Sequence, residues 1–455
     1  MIKPRFLVFG VIAALVSFVI CSSLGGTYAI GMTASLTVLI AVFWVTEALP
    51  IPVTSIIPFF AFPMTGILTA KQAASAMGSH VILLLMGAFM LSKAIEKSGV
   101  HERLALSILH RSGAKSSRAL VLSFMCTAAF LSMWISNTAT TLMLLPIALA
   151  VLKRLKTQAL APVLLLSIAY AASLGGVGTP IGTPPNIIMI SIYEESLGTV
   201  VSFLDWMKTG VPVVIIGIPV MALWLTRKAI PLGDFELPEL RKWTVAEKRV
   251  LMVFAIIACA WITRPYWTGA LNLTTVNDST IALAGVVLMC LIPSGGDEKD
   301  SYLLDWNTAQ NIPWGMLLLF AGGICLAKAF TESGLSALLG EQLSYLSNFH
   351  IFITLLILCL GVSFLTEITS NTATATLLMP ILASAGVAMK VDPALLMIPA
   401  AMSASCAFMM PVATAPNAIV YGSGKIPIQQ MVKEGAILNC ILAVVVVAVV
   451  WAVKL

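Results

Sequence analysis

The segment SNTATTLMLLP, residues 136–146, returns as SNTATATLLMP, residues 370–380, displaced by 234 positions. Two further segments keep the same order and almost the same displacement. MGAFMLSKAIEKSG (86–99) returns as AGGICLAKAFTESG (321–334) at 235, and GTPPN (182–186) returns as ATAPN (413–417) at 231. Three ordered matches mark an internal duplication, and the architecture must be read in terms of two copies of one unit.

Of the 455 residues, 59% are hydrophobic and 10% charged, where a soluble domain carries roughly a quarter charged residues. Apolar runs of roughly 20 residues, the length that crosses about 30 Å of hydrocarbon, recur from end to end. The runs lack the short alternating pattern of a transmembrane barrel, so the class is an all-α polytopic membrane protein of the bacterial inner membrane. The opening MIKPRFLVFGVIAALVSFVI has a basic start and an apolar body but no A-x-A-like cleavage site, and reads as a retained first span. The eight cysteines follow no metal-ligand or CxxC spacing. The net charge of +6 comes from basic residues at loop ends, which membrane topology explains without nucleic acid.

Those basic residues orient the two copies. Lys93, Lys97, Arg103, Arg111, Lys115 and Arg118 fall in the stretch 93–118 of the first copy, whereas the equivalent stretch 328–352 holds only Lys328. Lys153, Arg154 and Lys156 follow the first SNT segment, and Lys390 alone follows the second. Cytoplasmic loops are rich in Lys and Arg, so the same element faces opposite sides in the two copies. Inversion needs an odd number of crossings per copy, and five in each plus the first span make eleven transmembrane helices with an inverted structural repeat. The expected order is a first span (1–26), repeat 1 (27–228), a cytoplasmic linker (229–246) and repeat 2 (247–455). The N-terminus lies in the cytoplasm and the C-terminus outside.

Each SNT segment sits in an apolar stretch with room for two short helices and no charged loop between them, which predicts two re-entrant hairpins, at about residues 117–153 and 350–384. Downstream, GGVGTPIGTPPN (175–186) and CAFMMPVATAPN (406–417) interrupt apolar helices with Pro and, in the first copy, Gly, giving broken helices over about 160–198 and 394–421. Non-helical backbone at membrane depth is tolerated only where protein buries it or a wet cavity solvates it, so a binding site is expected at the tips. Ser136, Asn137, Thr138, Ser370, Asn371 and Thr372 offer neutral oxygens to a hard cation and N–H or O–H groups to an anion. A single SNT would serve equally as a helix cap or as interhelical glue; its duplication beside two broken helices favours a site. No Lys or Arg falls within this site, so bound cations must neutralise a dianion there. Glu47 and Glu367 are acids at or near membrane depth, read here as structural or capping groups rather than proton carriers. The four histidines have no ligand spacing.

With SNT paired and followed by TPPN and TAPN, and with WVTEALPIPVT (44–54) and LSKAIEKSGVHERLAL (91–106) around them, nearly the whole chain resembles the divalent anion/sodium symporter family, in particular its bacterial INDY-type dicarboxylate transporters. The resemblance implies an elevator-type homodimer of the ion transporter superfamily that imports small dicarboxylates of the succinate, malate, fumarate or 2-oxoglutarate class with co-transported sodium. It further implies sodium site 1 at Ser132, Ser136, Asn137 and Gly182, and sodium site 2 at Thr366, Ser370, Asn371 and Ala413. Substrate would meet Asn137, Thr138, Thr183, Pro184, Asn371, Thr372, Thr414 and Ala415. Thr366 stands where the first copy has Ser132, and Ala415 where it has Pro184, so the two sites need not match in shape. A dicarboxylate exchanger and a sulfate or citrate carrier are alternatives on the same fold. An enzyme would need a nucleophile and base or a metal at membrane depth, and none is visible.

Overall fold

A computed structural model of the chain describes residues 3–23, 26–112, 116–155, 159–228, 241–273, 275–295, 301–343 and 350–454. Most of the expected linker, residues 229–240, lies outside the described residues, as do Lys115 and Lys156. Apart from an isolated bridge between Pro293 and Tyr302, the described residues carry only helices, turns and loops. The first seven helices are α1 (Pro4–Ser23), α2 (Tyr28–Thr46), α3 (Ile51–Thr54), α4 (Ile57–Met64), α5 (Ala70–Met77), α6 (His80–Ser98) and α7 (Val100–Ser112). There follow α8 (Ser117–Ser132), α9 (Asn137–Leu155), α10 (Leu160–Gly176), α11 (Pro184–Leu197) and α12 (Phe203–Leu225). The third block is α13 (Val245–Ala270), α14 (Asp278–Leu291), α15 (Trp306–Ala309), α16 (Trp314–Ser333) and α17 (Leu335–Leu343). The last is α18 (Ile351–Leu365), α19 (Asn371–Ala388), α20 (Ala394–Ala404), α21 (Ala415–Tyr421) and α22 (Ile428–Lys454).

Among the described residues, eight helical stretches are long and apolar enough to cross a membrane, and six shorter apolar helices accompany them. The chain is a multi-pass membrane protein. Its helices pack as two groups. In the inner group, α10 and α20 form the centre: every residue of α20 is buried, as is α10 apart from Pro162 and Val163. The pairs α8/α9 and α18/α19 pack on them, with α11, α12, α21 and α22 beside them. The outer group joins α2 to α6 with α13, α14 and α16, and α1 lies against α2. Helices α7 and α17 reach from the outer group onto α8 and α19.

Local chemistry sets several element boundaries. Capping boxes start α5 (Thr69 with Gln72), α12 (Ser202 with Asp205) and α13 (Thr244 with Glu247), each satisfying orphan N–H groups of the first turn. Gly99, Gly198 and Gly334 end α6, α11 and α16 in the left-handed conformation. Exposed Glu47 ends α2 with φ 50°, so this acid sits at a helix C-cap. Lys97 meets Asp305 Oδ2 at 2.5 Å, ties α15 to α6 and holds the Asp305 carboxyl below the usual carboxylate range.

The inner group packs more closely than side chains would permit. A Cβ on Gly175 of α10 would stand 2.4 Å from Ala129 Cα on α8. Gly361 on α18 has nothing within 4 Å of the same position. Gly175→Ala is therefore expected to destabilise the protein by about 1–3 kcal/mol through overpacking, whereas Gly361→Ala is neutral or stabilising by up to about 1 kcal/mol. Thermal unfolding of the purified variants checks this, and equal melting of the two would contradict the close approach.

Candidate functional site

The chain leaves helix between α10 and α11 at residues 177–183, and between α20 and α21 at residues 405–414. Backbone freed in a protein interior must find partners, and one asparagine in each copy supplies them. Asn186 Nδ2 donates to Gly176 O at 3.0 Å and Thr179 O at 2.7 Å, bridging the break from its far side. Asn417 Nδ2 does the same to Ala407 O and Met410 O, each at 3.0 Å. Both asparagines are fully buried. The first break also depends on Gly176 and Gly182, which approach so closely that a Cβ on Gly182 would lie 2.4 Å from Gly176 O. Alanines occupy the equivalent places, 407 and 413, and the second break is correspondingly longer.

The tips of α8/α9 and α18/α19 sit against these breaks. Ser132 Oγ donates to Ala172 O at 2.6 Å and lies in contact with the Asn137 carboxamide. Around the Asn137 carboxamide stand Ser132 Oγ and, at 3.2 Å each, the carbonyl oxygens of Ala172 and Gly182. Turned to present nitrogen, the carboxamide donates to both carbonyls. Turned to present oxygen, it completes a cluster of four hard ligands suited to a small cation. In the second copy, Thr366 Oγ1 donates to Asn371 Oδ1 at 2.6 Å and stands 3.2 Å from Ala404 O. Ser136 caps α9 by accepting from Ala139 N at 3.2 Å, whereas Ser370, the N-cap of α19, makes no side-chain cap bond. The two clusters are alike in composition and differ in detail.

Both tips and both breaks open on one cavity of about 560 Å³, within the usual range of small-molecule sites. Ser136, Asn137, Thr138, Gly182, Thr183, Pro184, Ser370, Asn371, Thr372, Ala413, Thr414 and Ala415 all line it. Ser132 and Thr366 do not; they lie fully buried behind the asparagines they orient. Thr183 lies 3.3 Å from Ser405 of the other copy through their hydroxyls, and Thr414 is held as the cap of α21 by Asn417 N at 3.2 Å. The opposite wall comes from the outer group: α6 from Leu85 to Glu96, and the approach to α16 from Asn311 to Met316. This corrects the sequence expectation of a site without Lys or Arg, because Lys93 lines the cavity. Its Nζ is 2.6 Å from Glu96 Oε2, which also lines it, so the pair brings no net charge. The first turns of α9 and α19 line this space, while Pro184 and Pro185 remove two donors from the start of α11.

Three residues carry structure that their sequence positions do not announce. Asn186 and Asn417 are visible in sequence only as the last letters of a repeated motif. Glu367 is the third: its Oε1 accepts from Phe408 N at 2.7 Å, Met409 N at 2.9 Å and Asn439 Nδ2 at 2.8 Å, and its Oε2 from Met410 N at 3.0 Å. The carboxylate thus holds the second break, in keeping with a structural role. Met133 occupies the equivalent place in the first copy, where Thr179 Oγ1 instead donates to the Met133 carbonyl at 2.5 Å. His80, given no role from the sequence, lies 3.1 Å from Glu194 of α11, and Lys328 lies 3.3 Å from Glu195.

Glu367→Ala is expected to lower stability by about 3 kcal/mol or more, since each buried group left unpaired costs about 1–3 kcal/mol. Met133→Ala keeps the Met133 carbonyl and its Thr179 partner, so its loss is smaller. Thermal unfolding of the two variants separates them; an unchanged melting temperature for Glu367→Ala would remove the carboxylate from this role.

Residues 41–395 match the citrate transporter family. The sodium-dependent dicarboxylate transporter SdcS of Staphylococcus saprophyticus is 41% identical over 440 residues, covering 92% of this chain and 85% of that protein. The Staphylococcus aureus (strain USA300) protein of the same name is 42% identical, covering 92% and 84%. Among solved structures, the Alcanivorax borkumensis YdaH transporter superposes with a TM-score of 0.57 at 14% identity, covering 84% of this chain and 86% of that one. Neisseria gonorrhoeae MtrF, from a class of antimetabolite efflux pumps, gives 0.54 at 13% identity, covering 86% and 83%. At those identities the likeness speaks to the fold alone. The family and the near relatives are transporters, not enzymes, and the chain belongs to the citrate transporter family.

Proposed function

We propose that this protein is a sodium-coupled secondary transporter that imports small dicarboxylates. The observation that carries the proposal is the pair of polar clusters, Ser132/Asn137 with Ala172 O and Thr366/Asn371 with Ala404 O, set against one cavity without net charge. The relatives named sodium-dependent dicarboxylate transporter supply the cation and the substrate class. In this reading sodium ions occupy the two clusters, ligated by Ser132, Ser136, Asn137 and Gly182 and by Thr366, Ser370, Asn371 and Ala413. The substrate carboxylates meet Asn137, Thr138, Asn371 and Thr372, flanked by Thr183, Pro184, Thr414 and Ala415. The first-turn N–H groups of α9 and α19 face the anion with the positive ends of their helix dipoles. A dianion in this neutral site gains from the bound cations, the cations gain equally from the dianion, and that reciprocity is the coupling.

The same reading takes α8/α9 and α18/α19 as re-entrant hairpins and the chain as eleven spans in two inverted repeats. The inner group carries the site past the outer group as an elevator, within a homodimer in the inner membrane. Its N-terminus is cytoplasmic and its C-terminus outside. With that topology Lys93, Glu96 and Asn311 lie at the cytoplasmic half of the outer group, and the cavity they border is the inward-facing one.

Uptake of radiolabelled succinate into proteoliposomes under imposed sodium, lithium, potassium or proton gradients tests the proposal. Sodium-driven uptake is the expected result. Uptake indifferent to sodium but raised by internal dicarboxylate would replace the symporter with an exchanger, and preferential competition by citrate or sulfate would move the substrate class. Asn137→Ala and Asn371→Ala are each expected to reduce sodium-driven uptake to background while the protein remains folded. Wild-type rates in either would overturn the site.

A further inference from the structure

A second cavity, of about 220 Å³, lies between α7 and α13 of the outer group and the tip of α8. Its lining is wholly apolar and includes Val100 and Leu104 of α7, Phe130 and Trp134 at the tip, and Phe254 and Ala258 of α13. The lining positions on α13 run from Val250 to Ala258, about 12 Å at 1.5 Å per residue. Phe130 is 48% exposed at its edge, so the cavity is an open groove rather than a sealed void. Trp134 and Ile135 line this groove and the polar cavity alike, and are followed directly by Ser136 and Asn137. One wall therefore separates the two spaces.

Arg103 of α7 lies just outside the lining, next in sequence to the lining residue Leu104. Val100, Arg103 and Leu104 share a helix face at i, i+3 and i+4. Arg103 is only 7% exposed and lies over the Trp243 ring, 4.5 Å from its centroid. Its Nε and Nη1 have no hydrogen-bond partner among the described residues. Buried guanidinium donors are costly to leave unpaired, and a phosphate is the group they match best. An apolar groove in a membrane protein with a cation beside it fits a molecule with an acyl chain and an anionic head.

We propose that the groove holds one acyl chain of an anionic membrane phospholipid, with its phosphodiester at Arg103. The acyl chain packs behind Trp134, between the tip of α8 and α13, in the inward-facing arrangement. The inference rests on the membrane embedding and on these two observations, and is independent of which anion or cation is transported. Its failure would leave the uptake experiment untouched.

The test is native mass spectrometry on protein reconstituted in equal phosphatidylethanolamine and phosphatidylglycerol, then extracted and washed in detergent. The wild type is expected to retain one phosphatidylglycerol per chain. Ala258→Phe fills the groove and is expected to lower that occupancy at least fivefold; Ala255→Phe, at an exposed groove position, serves if the first variant does not fold. Met252→Phe, on an exposed position outside the lining, retains the lipid. Arg103→Gln is expected to abolish the preference for phosphatidylglycerol. Wild type without bound lipid, groove-filled variants that keep it, or an unchanged preference in Arg103→Gln would each overturn the proposal.

Discussion

Backbone that leaves helical structure inside an apolar protein must find new hydrogen-bond partners, and the site depends on how two interrupted helices meet that demand. Asn186 and Asn417 are the common solution: each carboxamide donates to two carbonyls at or within its break. With those carbonyls held, the remaining polar atoms of the breaks can face the tips of α8/α9 and α18/α19. The site is therefore a by-product of a buried hydrogen-bonding requirement satisfied from one side only.

The two copies meet the same demand with different residues. The first brings its break together with glycines at 176 and 182 and ties it to the tip through the Thr179 hydroxyl. The second has alanines there, spans a longer break and holds it with the Glu367 carboxylate, which accepts three backbone N–H groups and the Asn439 amide. Tyr170 joins the halves by donating to Phe408 O at 2.7 Å, so the breaks are fixed relative to each other as well as internally. A duplicated unit has diverged in its supports while keeping the atoms that face the cavity closely alike.

Electrostatics sets the limits of what such a cavity can hold. Helix N-termini and neutral amides favour an anion by modest amounts, and Lys93 is compensated by Glu96. Two negative charges need more than this arrangement provides by itself. Cations bound in the oxygen clusters are the simplest remedy, which makes ion coupling a physical requirement of the proposed function as well as a property shared with named relatives.

Much of this was legible from residues alone. Apolar length and sparse charge determine a multi-pass helical membrane protein, and the three displaced matches determine which segments form breaks and tips, because helix breakers and small polar residues recur there together. Helices α9 and α19 start within the two SNT segments, α11 starts at Pro184, and α21 starts at Ala415 beside Pro416. Tertiary structure alone decided the rest. Ser132 and Thr366 lie behind the cavity rather than in it, Lys93 enters from a helix remote in sequence, and Glu367 turns inward to hold backbone. Sequence periodicity records which residues can be buried; which buried polar atoms pair depends on how helices from both halves of the chain pack in three dimensions, a matter of distance between groups and not of their order along the chain.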